Sequence, residues 1–209
     1  MNKNLYNKRE NIMQKKTKEE IVDENKIALD PKKYIVSKTD KKGIIEYGND
    51  YFTEISGYTN SELLGQPHNI IRHPDMPKII FKLLWDRIQD GKNIYAVVKN
   101  LAKDGKYYWV ITETEPNLDA LTNKPESYTA YRKAASDKVI REIEPLYKKL
   151  IEIEQASGME ASQKYLTGFL DEKGVSYDKY IAKVIGIAGI KKIFFNTMKK
   201  IFKKNKHKI

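Results

Sequence analysis

The stretch that decides the fold is IYAVVKNLAKDGKYYWVITETEP, residues 94–116. Its two halves are rich in the β-branched and aromatic residues that favour strands, and the KDG between them is a hairpin turn sequence. We therefore predict two antiparallel strands, at 94–102 and 106–116. A third strand, SYTAYRKA, is predicted at 127–134.

Upstream of this hairpin the pattern changes twice. YIVSKT (34–39) and GIIEYG (43–48) predict two further strands around a DKKG turn. A short helix, YFTEIS (51–56), then precedes a capping box, TNSE (59–62), and a longer helix is expected from Pro77 to Gly91. This order predicts an α+β fold, with a five-stranded antiparallel sheet and short helices on one face.

The composition limits the functional classes. The chain has 209 residues, 40% of them apolar, and no cysteine. This length suits one domain with appendages. Without cysteine there are no disulfides, no thiol catalysis and no cysteine metal cluster, so a reducing compartment is expected and the cytoplasm is the default location. The chain contains no apolar run of about 18 residues, so no membrane-spanning helix is predicted. The first residues lack the apolar core of a secretory signal.

The positive charge is concentrated at one end. The formal net charge is +11, and residues 191–209 contain eight lysines and no acidic residue. The folded part therefore lacks the basic excess expected of a nucleic-acid-binding protein. The segment 186–209 has apolar residues at helical spacing among its lysines, which suits a helix lying on an anionic membrane surface. Packing against the folded core or a partner is the alternative.

Four regions follow from these patterns. Residues 1–30 are predicted to be an N-terminal arm, mobile or helical, and residues 31–136 a folded domain. Residues 137–185 have helical periodicity; Pro145 should kink the first helix or start a new one, and two further short helices follow. Residues 186–209 form the basic amphipathic tail.

The segment NIIRHPDMPK, residues 69–78, is the candidate binding motif. Its two prolines disfavour helix at the residues before them, so the backbone should be extended and rigid here. Arg72 offers a planar donor fork for a pyrophosphate or a carboxylate. Asp75 would orient that guanidinium or cap the following helix. The alternative is an Arg–Asp pair in a surface loop.

Four stretches together resemble the PAS sensor domain of the aerotaxis (Aer) receptor family. They are ISGYTNSELLGQPHNIIRHPDMPK (55–78), VVKN (97–100), KDGKYYWV (103–110) and IEPLYKKL (143–150). The similarity covers roughly residues 34–150. It implies a PAS fold, non-covalent FAD in a cleft between sheet and short helices, and a non-enzymatic role in redox and energy sensing that signals to a chemoreceptor.

The resemblance also implies the residues of the FAD site. The Arg-His-Pro-Asp cluster that the family needs for FAD binding matches the RHPD of this chain. The cofactor-binding residues expected on this basis are Arg72, His73, Asp75, Trp85, Asn100, Asn49 and Tyr108. One position departs from the family: Ile94 stands where members carry a strand tryptophan near the flavin.

Two other readings of a PAS domain stay open. One is a haem b gas sensor, for which His68 or His73 would supply the ligand; the other is a cofactor-free module for protein interactions. No catalytic set and no metal-ligand spacing is recognisable. The expected partner is a methyl-accepting chemoreceptor or its HAMP region, as for a PAS-only energy-taxis protein working with a separate receptor, at the inner face of the membrane. A homodimer is left open.

Overall fold

The computed structural model describes residues 23–186, and five strands form its centre. The strands are β1 (Ile35–Asp40), β2 (Ile45–Gly48), β3 (Ile94–Leu101), β4 (Tyr107–Leu118) and β5 (Pro125–Ala134). They form one sheet in the order β2-β1-β5-β4-β3, and every neighbouring pair is antiparallel. The predicted α+β architecture with a five-stranded antiparallel sheet is confirmed.

Short helices connect β2 to β3 and cover one face of this sheet. They are α1 (Asp50–Ser56), α2 (Asn60–Leu63), a 3₁₀ turn (His68–Ile71) and α3 (Lys78–Gln89). The predicted capping box is present at α2, where the Thr59 hydroxyl accepts from the Glu62 amide and the Glu62 carboxylate accepts from the Thr59 amide. The first helix begins at a side-chain cap, Asn49.

The strand register decides which residues face the short helices. Ser37 lies opposite Ala130, and Asn100 lies opposite Tyr108. Since side chains alternate along a strand, Tyr108 faces the short helices and Trp109 faces the other side of the sheet. We call these the inner and outer faces.

Two helices follow the sheet: α4 (Asp137–Glu172) and α5 (Tyr177–Val184). On the outer face, the ring of Tyr147 in α4 stacks on Trp109 with centroids 6.4 Å apart. The Tyr147 hydroxyl also donates to the carbonyl oxygen of Val97 at 2.8 Å. The start of α4 is thus packed against the outer face of the sheet.

The prediction that Pro145 kinks α4 or starts a new helix is not supported. Pro145 lies inside α4, and the only non-helical backbone there is at Gly158, with φ 82° and ψ 173°. Buried neighbours of Pro145, such as Ile143 and Leu146, pack into the core. This packing compensates for the loss of the backbone hydrogen bond that proline cannot make.

Residues 23–30 contain no helix, so the helical alternative for the N-terminal arm is not seen in its described part. Instead, the Ile27 amide donates to the Tyr107 carbonyl, and the Tyr107 amide donates to the Asn25 carbonyl, both at 2.8 Å. Lys26 forms an ion pair with Asp137 at 2.6 Å. Residues 1–22 and 187–209, which include almost all of the basic tail, lie outside the described residues. Within 23–186, no helix has the length and apolarity needed to cross a bilayer.

Candidate functional site

A cavity of about 420 Å³ lies between the inner face of the sheet and the segment that runs from the 3₁₀ turn to α3. Its volume falls within the range of small-molecule sites, about 300–1,000 Å³. The sheet contributes Ser37, Thr39, Val98, Asn100, Thr112, Thr114, Tyr128, Ala130 and Arg132 to its wall, and the helical side contributes His68, Asn69, Ile71, Arg72, Phe81, Leu84, Trp85 and Ile88. The wall therefore combines apolar surface with a few polar groups.

Arg132 is the most unusual member of the wall. Its side chain comes from β5 and the residue is only 6% exposed. One guanidinium nitrogen donates to the Ser37 hydroxyl at 2.9 Å, and another lies 3.0 Å from Nε2 of His68. Burial lowers the pKa of Arg132 to about 10, so it stays charged at neutral pH. No carboxylate within residues 23–186 forms an ion pair with this cation.

His68 is held as a neutral imidazole. Burial, with a smaller contribution from the Arg132 charge, lowers its pKa to about 3. Arg132 can only donate, so Nε2 of His68 must accept, and the ring proton therefore sits on Nδ1. The Ser37 hydroxyl lies 3.0 Å from the same Nε2, and the ring stacks on Phe52 with centroids 6.0 Å apart. Neither ring nitrogen is thus free to bind a metal in this arrangement.

One polar atom in the wall has no protein partner. The hydroxyl of Thr112 is buried and makes no hydrogen bond in the described part of the chain. Since buried polar groups in proteins are nearly always hydrogen-bonded, this atom indicates a ligand that supplies the missing partner.

Arg72 lines the same cavity from the end of the 3₁₀ turn. Its guanidinium lies 4.2 Å from the centre of the Phe81 ring, and it donates to the Met76 carbonyl oxygen at 3.3 Å. Burial lowers the pKa of Arg72, while the charge of Glu154 opposes that shift. With respect to residues 23–186, the remaining guanidinium N–H groups are available for an anionic ligand.

The structure shows neither role expected of Asp75. Its carboxylate pairs with Lys99 at 2.7 Å, not with Arg72, and that bond lowers its pKa. The cap of α3 comes from Glu154 instead. His73 packs edge-on against Tyr107 at 5.7 Å, and its Nδ1 accepts from the Asp75 amide at 3.0 Å. His73 and Asp75 therefore lie outside the cavity wall and fasten its backbone from the outer side.

Trp85 stands at the rim of the cavity, beside the β1–β2 turn. A Cβ atom on Gly43 would come within 2.9 Å of its ring, and Gly43 has a φ of 83°. Only glycine permits both the turn and this close approach. The Trp85 ring also meets Tyr128 edge-on at 5.6 Å. Ile94, the departure from the family, is buried in the neighbouring cluster with Ile88 and Tyr128.

Two other residues that were expected to bind the cofactor, Asn49 and Tyr108, lie outside the cavity wall. The Asn49 side-chain oxygen accepts from the Val36 and Phe52 amides, and its nitrogen donates to the Tyr34 carbonyl oxygen at 2.8 Å. Tyr108 is fully buried on the inner face, and burial raises the pKa of its hydroxyl. Neither residue lines the cavity.

Of the residues expected to bind a cofactor, Arg72, Trp85 and Asn100 are thus brought together in the cavity wall. Arg132 and the bond that it makes with His68 were not predicted from the sequence. A usable signal was present: in SYTAYRKA, Arg132 stands at an inward position of a strand, where a charged side chain is exceptional.

Comparison with known proteins shows what the chain is similar to. Residues 45–131 match the family model described as PAS fold. The chain is 42% identical over 116 residues to the aerotaxis receptor of Escherichia coli K12, which covers 56% of this chain and 22% of the receptor. It is 27% identical over 106 residues to the bacterioopsin transcriptional activator of Halobacterium salinarum, covering 51% of this chain and 15% of that protein.

Solved structures with similar folds include light-oxygen-voltage (LOV) domains. The light state of the photoreceptor Aureochrome1 LOV has a TM-score of 0.47 and 19% identity, covering 58% of this chain and 91% of that chain. An RNA-binding light-oxygen-voltage receptor has a TM-score of 0.48 and 17% identity, covering 54% of this chain and 32% of that chain. The chain spans less than a quarter of the length of the two curated relatives.

Proposed function

We propose that this PAS domain binds a flavin, FAD, in the cavity behind the sheet and acts as a redox or energy sensor. The proposal rests on the similarity to the aerotaxis receptor and on the chemistry of the cavity wall. A flavin takes up electrons reversibly, and reduction makes its ring more electron-rich. The residues of this chain would bind and orient the ring and respond to its charge.

The observation that carries the proposal is the buried guanidinium of Arg132, which forms no ion pair with a carboxylate of residues 23–186. A buried cation without a counter-ion destabilises a folded protein unless a ligand compensates it. The Asn100 amide and the Thr112 hydroxyl, which has no partner among the described residues, add two more polar groups on the same face. Ring carbonyls and ring nitrogens of a flavin supply acceptors for Arg132 and Asn100, and the apolar wall around them suits its flat surface.

Arg72 has a different task in this proposal. The cavity has room for a tricyclic ring but not for a whole dinucleotide, so the phosphates would extend towards the rim. Arg72 lies on the helical side with donors to spare, and a guanidinium recognises phosphate oxygens through paired hydrogen bonds. Arg72 would therefore hold the phosphates, and Trp85 would cover the ring at the rim.

His68 favours a flavin over haem b as the ligand. Its Nε2 accepts hydrogen bonds and its Nδ1 carries the proton, so an iron ligand would require the Arg132 contact to break. His73 lies outside the cavity wall, packed on Tyr107. A cofactor-free interaction module leaves the buried charge of Arg132 and the partnerless hydroxyl of Thr112, both among the described residues, unexplained.

We further propose that the sensor is cytoplasmic and signals to a methyl-accepting chemoreceptor or its HAMP region, without catalysing a reaction. The similarity to the aerotaxis receptor supports this partner class. Among residues 23–186 there is no cluster of histidine and acidic side chains that would hold a metal ion.

The test is flavin binding by the purified protein. The protein should bind FAD, show flavin absorption and lose that absorption on reduction. Arg132→Met should weaken FAD binding at least tenfold, because it removes the only buried cation of the described cavity wall. Arg141→Met removes a cation that is exposed on α4 and should leave binding unchanged. A protein that takes up haem instead, or binds FAD equally well after Arg132→Met, would overturn the proposal.

A further inference from the structure

Helix α3 forms one wall of the cavity but lacks a cap of its own. Its residues Phe81, Leu84, Trp85 and Ile88 line the cavity. Pro77 occupies the N-cap position, where it makes no side-chain hydrogen bond, and the first turn contains no acidic residue. The free amide groups at a helix start need acceptors, and the local sequence supplies none.

Glu154, in α4, supplies these acceptors from far along the chain. Its two carboxylate oxygens accept from the Lys78 amide at 2.8 Å and from the Ile79 amide at 2.9 Å. A carboxylate at this position also faces the positive end of the helix dipole. The start of α3 is thus fixed by a side chain of the C-terminal helices, 75 residues further along the chain.

The other end of α3 is fastened to the same helical region. Arg87, in the last turn of α3, forms an ion pair with Asp178 of α5 at 2.7 Å. This pair is partly exposed and on its own is weak. Together the two acidic side chains hold both ends of the helix that carries the cavity wall.

The contact at Glu154 also lies close to Arg72, the arginine on the helical side of the cavity wall. The charge of Glu154 acts on Arg72 and favours its charged form. Arg72 and Lys78 are joined by the short proline-containing segment of residues 73–77, whose backbone is held by Lys99 through Asp75. A shift of α4 therefore changes both the position of the cavity wall and the electrostatic field at Arg72.

We propose that Glu154 is a positioning residue that couples the cavity to the C-terminal helices. When α4 is docked, Glu154 holds α3 in the arrangement that closes the cavity. When α4 moves away, α3 loses its cap and the wall loosens. Docking of α4 and binding of a ligand that needs the closed wall therefore strengthen each other. By thermodynamic linkage, the factor is the same in both directions.

This coupling deepens the proposed flavin function, because it gives a route from the cavity to the helices. It does not depend on the identity of the ligand. The first test therefore uses the protein without ligand. We expect Glu154→Ala to speed amide hydrogen exchange in residues 78–89 about tenfold, as loss of a helix cap does, while exchange in β5 is unchanged.

Glu152→Ala is the matched control. Glu152 lies on the same helix and has an exposed side chain, and its one ion-pair partner among the described residues is Lys149, at 3.2 Å. The variant therefore loses the same charge without touching α3. It should exchange like the native protein. If Glu154→Ala fails to fold, Glu154→Gln, which keeps one acceptor, should give a smaller local effect. Unchanged exchange in α3 with either Glu154 variant overturns the proposal.

The second test uses FAD as the probe. FAD should bind about fivefold more weakly to Glu154→Ala than to Glu152→Ala, within the usual range of coupling factors. FAD should also slow exchange around residue 154 in the native protein. Equal FAD affinity in the two variants overturns the coupling. If native protein binds no FAD, the proposed function fails, and the exchange experiment still decides whether Glu154 holds the wall.

Discussion

Arg132 of β5 and His68 of the 3₁₀ turn meet through a hydrogen bond of 3.0 Å. This contact joins the sheet to the short helical segment just before Arg72, across the inner end of the cavity. The charged Arg132 guanidinium lies against the neutral His68 imidazole, and the Arg132 charge contributes to the lowered pKa of His68. Two of the following predictions test that relationship.

The unliganded protein should not need the Arg132 charge to fold. We expect Arg132→Met to raise its free energy of unfolding by about 1 kcal/mol, because replacing a buried charge with an apolar side chain of similar volume is often stabilising. Urea denaturation without ligand measures this. Arg141→Met, at an exposed position, should change stability by less than about 0.5 kcal/mol. A loss of more than about 2 kcal/mol would mean that Arg132 is structural.

Stability should fall in mild acid because of His68. Its pKa is about 3 in the folded protein and about 6.5 in an unfolded chain. Between these values the unfolded chain binds more protons, so stability decreases as the pH falls from about 6.5 towards 3, by up to about 1.4 kcal/mol per pH unit. His68→Gln should reduce this slope between pH 6.5 and 5. Identical slopes in both proteins would contradict the assignment.

Asn49 should act on stability before it acts on binding. Asn49→Ala removes the acceptor for the Val36 and Phe52 amides and the donor to Tyr34. We expect a loss of about 1–3 kcal/mol, the sum of a lost helix cap and an unpaired buried amide. Under conditions where the variant is fully folded, its FAD affinity should equal that of the native protein. A folded variant that binds FAD tenfold more weakly would place Asn49 in direct contact with the ligand.

The strands and short helices were predictable because their signals are local. The KDG turn and the alternation around it predict β3 and β4, and TNSE predicts the cap of α2. In contrast, the partner of Asp75 depends on tertiary structure. Lys99 is 24 residues away and faces Asp75 only because β3 is in the sheet. Spacing in sequence favoured Arg72, three residues before Asp75, and could not reveal the competing lysine.

Long-range contacts also explain what was missed at the site. Glu154 caps a helix from more than 70 residues away, and nothing in the sequence around it marks a cap. For α4, the rule that proline breaks helices pointed to Pro145, whereas the backbone departs from helical geometry at Gly158. Proline is a strong local signal, but burial of the helix on both sides of it decides the outcome.

Gly158 should not tolerate a side chain. Its φ of 82° and ψ of 173° lie in a region that is essentially restricted to glycine, and there is open space around it. We expect Gly158→Ala to cost about 1–3 kcal/mol through backbone strain alone. Thermal unfolding measures the loss. Gly168→Ala, at a helical glycine that also has no neighbour within 4 Å, is the control and should be neutral or stabilising. Equal behaviour of the two variants would contradict strain at Gly158.

The ion pair between Lys26 and Asp137 brings together a residue shortly before the first strand of the sheet and a residue shortly after its last strand, with 2.6 Å between the paired atoms. A unit whose two junctions are neighbours can be inserted into another polypeptide without forcing its flanks apart. The same geometry makes the unit transferable: fused between two segments of a host protein, it would act as a closed module, and strain on one junction would be felt directly at the other.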